Sequence, residues 1–136
     1  MPESAVHLAL VQSLVQWVKS NCLIEKDGLL LVDDPAQMAS SKPPSINGYF
    51  PDVYLRGLRL RSILIGEAKS AYDLESRHSR KQLASFLIHL LSVERGTLLV
   101  AVPWHVVPRA KSLIRAIQRE TNSMSVQTIF LDYLPG

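Results

Sequence analysis

Two apolar runs with an amphipathic stretch between them constrain this chain most. "ILIG" (residues 63–66) and "TLLVAVP" (97–103) carry apolar side chains at consecutive positions. Along a strand, consecutive side chains point to opposite faces, so both strands must be covered above and below. Between them, Leu83, Phe86, Leu87, Leu90 and Leu91 recur at helical spacing from about Glu75 to Glu94, with Gly96 placed to end the helix. Strand, helix, strand predicts a βαβ unit whose two strands lie inside a sheet.

The flanking segments extend this core. Ser4 is placed to cap a first helix running to about Ser20, on which Val11, Leu14, Val15 and Val18 keep helical spacing. Leu8, Leu10 and Trp17 spread apolar surface around most of its girth. That predicts cover on more than one side, by a second element or by a homodimer contact. "GLLLVDD" reads as a short strand after Lys26, Asp27 and Gly28, and a loop rich in Pro, Ser, Ala and Asn follows. "YFPDVYL" reads as a strand with proline near its start, and Gly57 marks a turn into "RLRSILIGEAK", giving a hairpin. Pro108 suits the first turn of a helix to about Thr121, and "VQTIFLDYL" is a last strand. The expected fold is α/β: one domain over residues 1–136, with a mixed central sheet flanked by helices on both faces.

Composition excludes several classes. With 136 residues, 47% hydrophobic content and a net charge of +3, the chain can bury a core and is not disordered. Cys22 is the sole cysteine, so neither an intrachain disulfide nor a cysteine-based zinc site can form, and a reducing cytoplasm is expected. His7, Gln12, Ser13 and Gln16 interrupt the apolar N-terminal stretch, so neither a signal peptide nor a membrane partner is expected. A pI near 9.2 permits an anionic partner without identifying one.

Chemistry concentrates at one strand end. Ile63, Ile65, Glu67 and Lys69 share a face, so an interior strand ends by presenting a carboxylate. Burying that carboxylate without a partner costs several kcal/mol. Lys69 lies about 6–7 Å further along the same face. A hard divalent cation would neutralise Glu67 better, given more oxygen ligands. Asp52, at the start of the preceding strand, meets the end of the Glu67 strand if the hairpin is antiparallel. Asp52, Glu67 and the backbone carbonyl of Ala68 then make a half-shell for Mg²⁺ or Mn²⁺. Taken alone, Glu67 and Lys69 read as a strand-end ion pair; Asp52 on the adjacent strand changes that reading.

"PD" (Pro51, Asp52) followed by "EAK" (Glu67, Ala68, Lys69) on the next strand resembles the PD-(D/E)XK nuclease superfamily, which includes restriction endonucleases and Holliday junction resolvases. The resemblance spans roughly residues 49–103, and the element order matches. It implies a restriction-endonuclease-like core and a Mg²⁺- or Mn²⁺-dependent endonuclease that hydrolyses DNA phosphodiester bonds by in-line attack. Asp52 and Glu67 would hold the metal, and Lys69 would stabilise the attacking hydroxide or position the water. Gln82 matches a glutamine that several branches carry on the following helix. Arg77, His78, Arg80 and Lys81 lie on that helix and suit contacts to DNA phosphates. One departure concerns the first helix, where many members carry a glutamate. Here it offers His7, Gln12 and Gln16, with only Glu3 before it, so either one ion suffices or Glu3 or another acid substitutes. The alternative is a catalytically silent domain of this fold that binds nucleic acid or protein; dependence on the two carboxylates for divalent-ion binding separates the two.

Other polar residues have simpler readings. Asp73 and Glu75 are expected to cap the long helix, Asp33 and Asp34 to lie in a loop, and His78 and His89 to be surface or half-buried. Lys111, Arg115, Gln118 and Arg119 form a stripe expected to face solvent. Arg56, Arg59 and Arg61 surround the hairpin turn, where either solvation or phosphate contact fits. Trp17 and Trp104 are expected to pack rather than serve as base-stacking platforms.

Overall fold

The computed structural model describes residues 5–22, 24, 28–33 and 42–133. Along the chain run α1 (Ala5–Asn21), β1 (Leu29–Val32), β2 (Val53–Gly57), β3 (Ser62–Ala68), α2 (Ala71–Leu74), α3 (Arg77–Leu90) and β4 (Arg95–Pro103). A 3₁₀ turn (Trp104–Val106), α4 (Val107–Thr121) and β5 (Gln127–Tyr133) complete it. The strands form one sheet in the order β1-β2-β3-β4-β5. The β1–β2 and β2–β3 pairs are antiparallel, and the β3–β4 and β4–β5 pairs are parallel. This is the α/β architecture with a mixed sheet that the apolar runs predict.

Burial explains the layering. On one face, Leu10, Leu14 and Val18 of α1 pack with Val53, Leu64 and Leu99. On the other, Leu83, Phe86 and Leu87 of α3 and Ile114 and Ile117 of α4 pack with Ile65, Leu98 and Val100. Each such side chain contributes about 1.5–3 kcal/mol by leaving water. Gly66 faces α1, and a Cβ there would meet Val53 Cβ at 3.1 Å and Leu14 Cδ2 at 3.5 Å. The missing side chain lets the helix settle close on the centre of the sheet.

Among the described residues, the first helix is covered on one side. Leu10 enters the core and Trp17 and Cys22 pack partly against it, whereas Val6 and Leu8 are exposed. Burial pushes the Cys22 thiol up from its ordinary pKa. The helix expected from about Glu75 to Glu94 is α3, which runs only from Arg77 to Leu90, and a separate short helix, α2, precedes it; each is started by a serine. Ser70 accepts the Asp73 N–H at 3.1 Å to begin α2, and Ser76 accepts the Ser79 N–H at 3.1 Å to begin α3. Asp73 and Glu75 therefore do not cap a long helix: Asp73 accepts from the Ser70 hydroxyl at 3.0 Å, and Glu75 lies 3.7 Å from Arg109.

Gly96 also departs from expectation. α3 ends at Leu90, and Gly96 is the second residue of β4, where a Cβ would sit 2.5 Å from the Leu90 carbonyl oxygen. It is glycine because backbone crosses there, not because a helix stops. Gln118 leaves the solvated stripe altogether. It is buried, and its Nε2 donates to the carbonyls of Ser123 (3.1 Å) and Val126 (3.0 Å), fixing the turn around left-handed Asn122. Glu3, Ser4, Lys26, Asp27 and Asp34 lie outside the described residues. Among the described residues no helix is long and apolar enough to cross a membrane.

Candidate active site

The end of β3 and the start of β2 meet because the hairpin register pairs Val53 with Gly66. One step outward along that register places Asp52 beside Glu67. The Asp52 backbone is fixed from both sides. Its carbonyl accepts the Asp33 N–H at 2.8 Å, and its own N–H donates to Glu67 Oε2 at 3.2 Å. In return, Asp52 Oδ2 accepts the Ala68 N–H at 2.8 Å. Each acidic residue thus holds the backbone of the neighbouring strand. The Lys69 N–H donates to the Ala101 carbonyl of β4 at 3.0 Å. Alternation along β3 therefore turns the polar backbone groups of Ala68 to the β2 side, beside Asp52.

α3 closes the site from one layer. Gln82 Nε2 donates to Glu67 Oε1 at 3.2 Å, and Gln82 Oε1 accepts from Lys69 Nζ. Lys69 Nζ also lies 3.6 Å from Glu67 Oε1. α1 reaches the site from the other layer, with His7 Nε2 3.5 Å from Asp52 Oδ1. The two carboxylates sit at the sheet's end, Glu67 met by α3 and Asp52 by α1, rather than both on the α3 face. Asp52, Glu67, Lys69 and Gln82 are only 3–7% exposed.

Electrostatics follow from that burial. Desolvation raises the Glu67 carboxyl well above the usual carboxylate range, and the Asp52 charge raises it further. Lys69 and the Asp52 N–H pull in the opposite direction without cancelling the rise. A second positive charge is what this cluster would most readily accept. Among the described residues no three His, Cys, Asp or Glu side chains come together as a metal-holding group. The donors on hand are two carboxylates and the Ala68 carbonyl. These are hard oxygens, which fit Mg²⁺ or Mn²⁺ and leave positions for water and phosphate.

The remaining expected site residues are dispersed. Arg77, His78 and Lys81 are exposed on the first turns of α3, and Arg80 is paired with Glu120 of α4. His78 sits edge-on to Tyr49 at 5.4 Å and does not join the carboxylates. His89 is half-buried against Tyr54, and burial lowers its pKa. Sequence reasoning missed His7 as a neighbour of Asp52. The signal was its position one turn before Val11 on the stripe that continues through Leu14 and Val18, all three of which are buried. No protein-family model, curated protein or solved structure matches this chain.

Proposed function

We propose that this chain is a restriction-endonuclease-like, metal-dependent endonuclease that hydrolyses DNA phosphodiester bonds. The observation that carries the reading is the reciprocal clasp of two acidic residues on adjacent strands, with the Lys69 ammonium 3.6 Å from one of them. Asp52, Glu67 and the Ala68 carbonyl would hold Mg²⁺ or Mn²⁺. When bound, such an ion supplies Lewis-acid polarisation of the scissile phosphate and a lowered pKa for water. Lys69 stabilises negative charge on the attacking oxygen. Gln82 keeps the Lys69 side chain extended towards Glu67 by bonding both, which fixes the ammonium before substrate arrives. Exposed Arg77 and Lys81 neutralise phosphates beside the cut.

The test is incubation of the chain with linear, nicked and branched DNAs, in Mn²⁺ and in chelator. Cleavage in Mn²⁺ that disappears with chelator and in Asp52→Ala is expected; no cleavage of any DNA contradicts the reading. A second reading, a silent domain of the same fold, draws on a different observation: the four polar groups are buried and satisfy one another. Such a domain binds its partner with neither carboxylate required.

A further inference from the structure

The chain has nine Phe, Tyr and Trp residues, all within the described portion. Six are buried or half-buried. The other three are Phe50 at 55% exposed, Tyr72 at 92% and Trp104 at 55%. Chance would scatter three exposed rings over the surface. Instead all three flank the end of the sheet that carries Asp52 and Glu67.

Their placement follows from the topology. Phe50 precedes Asp52 by two residues, within about 7 Å of it along the chain. Tyr72 follows Lys69 by three residues, within about 11 Å. Trp104 follows Ala101 by three residues, and Ala101 is the register partner of Ala68. Two of the rings are presented by anchored backbone. Tyr72 lies on α2, which Leu74 pins into the core at 0% exposed, and Trp104 opens the turn that Val106 pins equally. Trp104 also packs edge-on against His105 at 5.6 Å. Such anchoring costs little further entropy when a planar ligand stacks.

We propose that these rings are stacking platforms for unpaired bases, so that the substrate is DNA whose strand is single or splayed next to the scissile phosphate. This rests on the nuclease reading for the word substrate, but not for binding. In an intact duplex the base faces are already covered, and a ring reaches them only after unstacking a step. A single strand offers a free face at every base, and proteins that bind it combine such rings with backbone-neutralising cations. Arg77 and Lys81, exposed on the helix that follows α2, supply the cations. The site carboxylates are recessed behind the rim, a geometry suited to a flexible strand.

The experiment is fluorescence anisotropy with a labelled 20-nucleotide single strand and the blunt duplex of the same sequence, in chelator so that nothing is cut. The wild-type chain is expected to bind the single strand at least tenfold more tightly. Trp104→Ala, Tyr72→Ala and Phe50→Ala should each weaken single-strand binding roughly 5- to 150-fold and leave duplex binding unchanged. Trp104→Phe and Tyr72→Phe should restore most of the loss. Equal affinity of the alanine variants and the wild type for the single strand overturns the proposal. So does an equal loss on both forms, or an effect confined to self-association in sedimentation, which would mark the rim as a protein contact. Cleavage in Mn²⁺, measured separately, keeps the two ideas apart. Ring-dependent binding without cleavage refutes the nuclease and spares the platform, whereas cleavage indifferent to the rings does the reverse.

Discussion

The two ends of β3 each carry an acid–base pair, and the pairs are opposites. At the hairpin end, Arg61 lies 3.2 Å from Glu94, with side chains 74% and 67% exposed. At the other end, Lys69 lies 3.6 Å from Glu67, with side chains 9% and 4% exposed. By distance the surface pair is the better one. By consequence it is the lesser, because water screens it and its contribution is about 0–1 kcal/mol. The buried pair carries a desolvation cost of several kcal/mol per ion, which attraction offsets only with good geometry and further hydrogen bonds. An apolar substitute would serve stability as well or better. Stability alone therefore does not explain the Glu67 end, whereas the Arg61 end needs no more explanation than solvation.

The sharpest way to break this contrast is to remove one partner at each end. Lys69→Met leaves Glu67 and Asp52 buried without their amine, and should destabilise the fold by about 3–5 kcal/mol in urea unfolding. Gln82→Ala removes one amide that serves two charged groups, and should cost about 1–3 kcal/mol. Its effect on Lys69→Met should be less than additive, since the two side chains are bonded. Glu94→Ala at the surface end should change stability by less than about 0.5 kcal/mol. Comparable losses from Lys69→Met and Glu94→Ala would erase the distinction between the ends.

Acidity sharpens the comparison further. The Glu67 pKa in the fold is raised above its unfolded value near 4.3. The folded state therefore holds the proton more tightly. The resulting stability is fully present below the unfolded value and is lost as pH rises through the raised one. Urea unfolding of the wild type should show stability falling over that window relative to Glu67→Gln, whose curve lacks this titration. Parallel curves would mean that Glu67 titrates normally. Added Mn²⁺ should reverse part of the fall, because a cation replaces the proton.

The sheet was legible because strand and helix periods differ and apolar runs must be covered. Hairpin register, a local property, placed Asp52, Glu67 and Lys69 near one another, and the family resemblance added Gln82 from the following helix. Four features were not legible, because each depends on how neighbouring groups pack and bond in three dimensions rather than on the spacing of apolar residues. Gly96 resembles a helix stop, but its requirement comes from the Leu90 carbonyl passing over β4. Gln118 shares spacing with a solvated stripe, yet its amide serves carbonyls beyond the helix end. Ser70 and Ser76 each cap a separate helix start, and the short helix that Ser70 begins lies before the apolar spacing of Leu83 to Leu91 sets in. Trp104 has the composition of a core residue, and only the turn ending β4 leaves it in solvent.

Isothermal titration with Mn²⁺ at constant pH in two buffers of different ionisation enthalpy tests the central claim most directly. The account predicts uptake of one ion with release of protons, because Glu67 must ionise to bind it, and loss of that uptake in Asp52→Ala. Absence of uptake by the wild type, or uptake unchanged in Asp52→Ala, would contradict it.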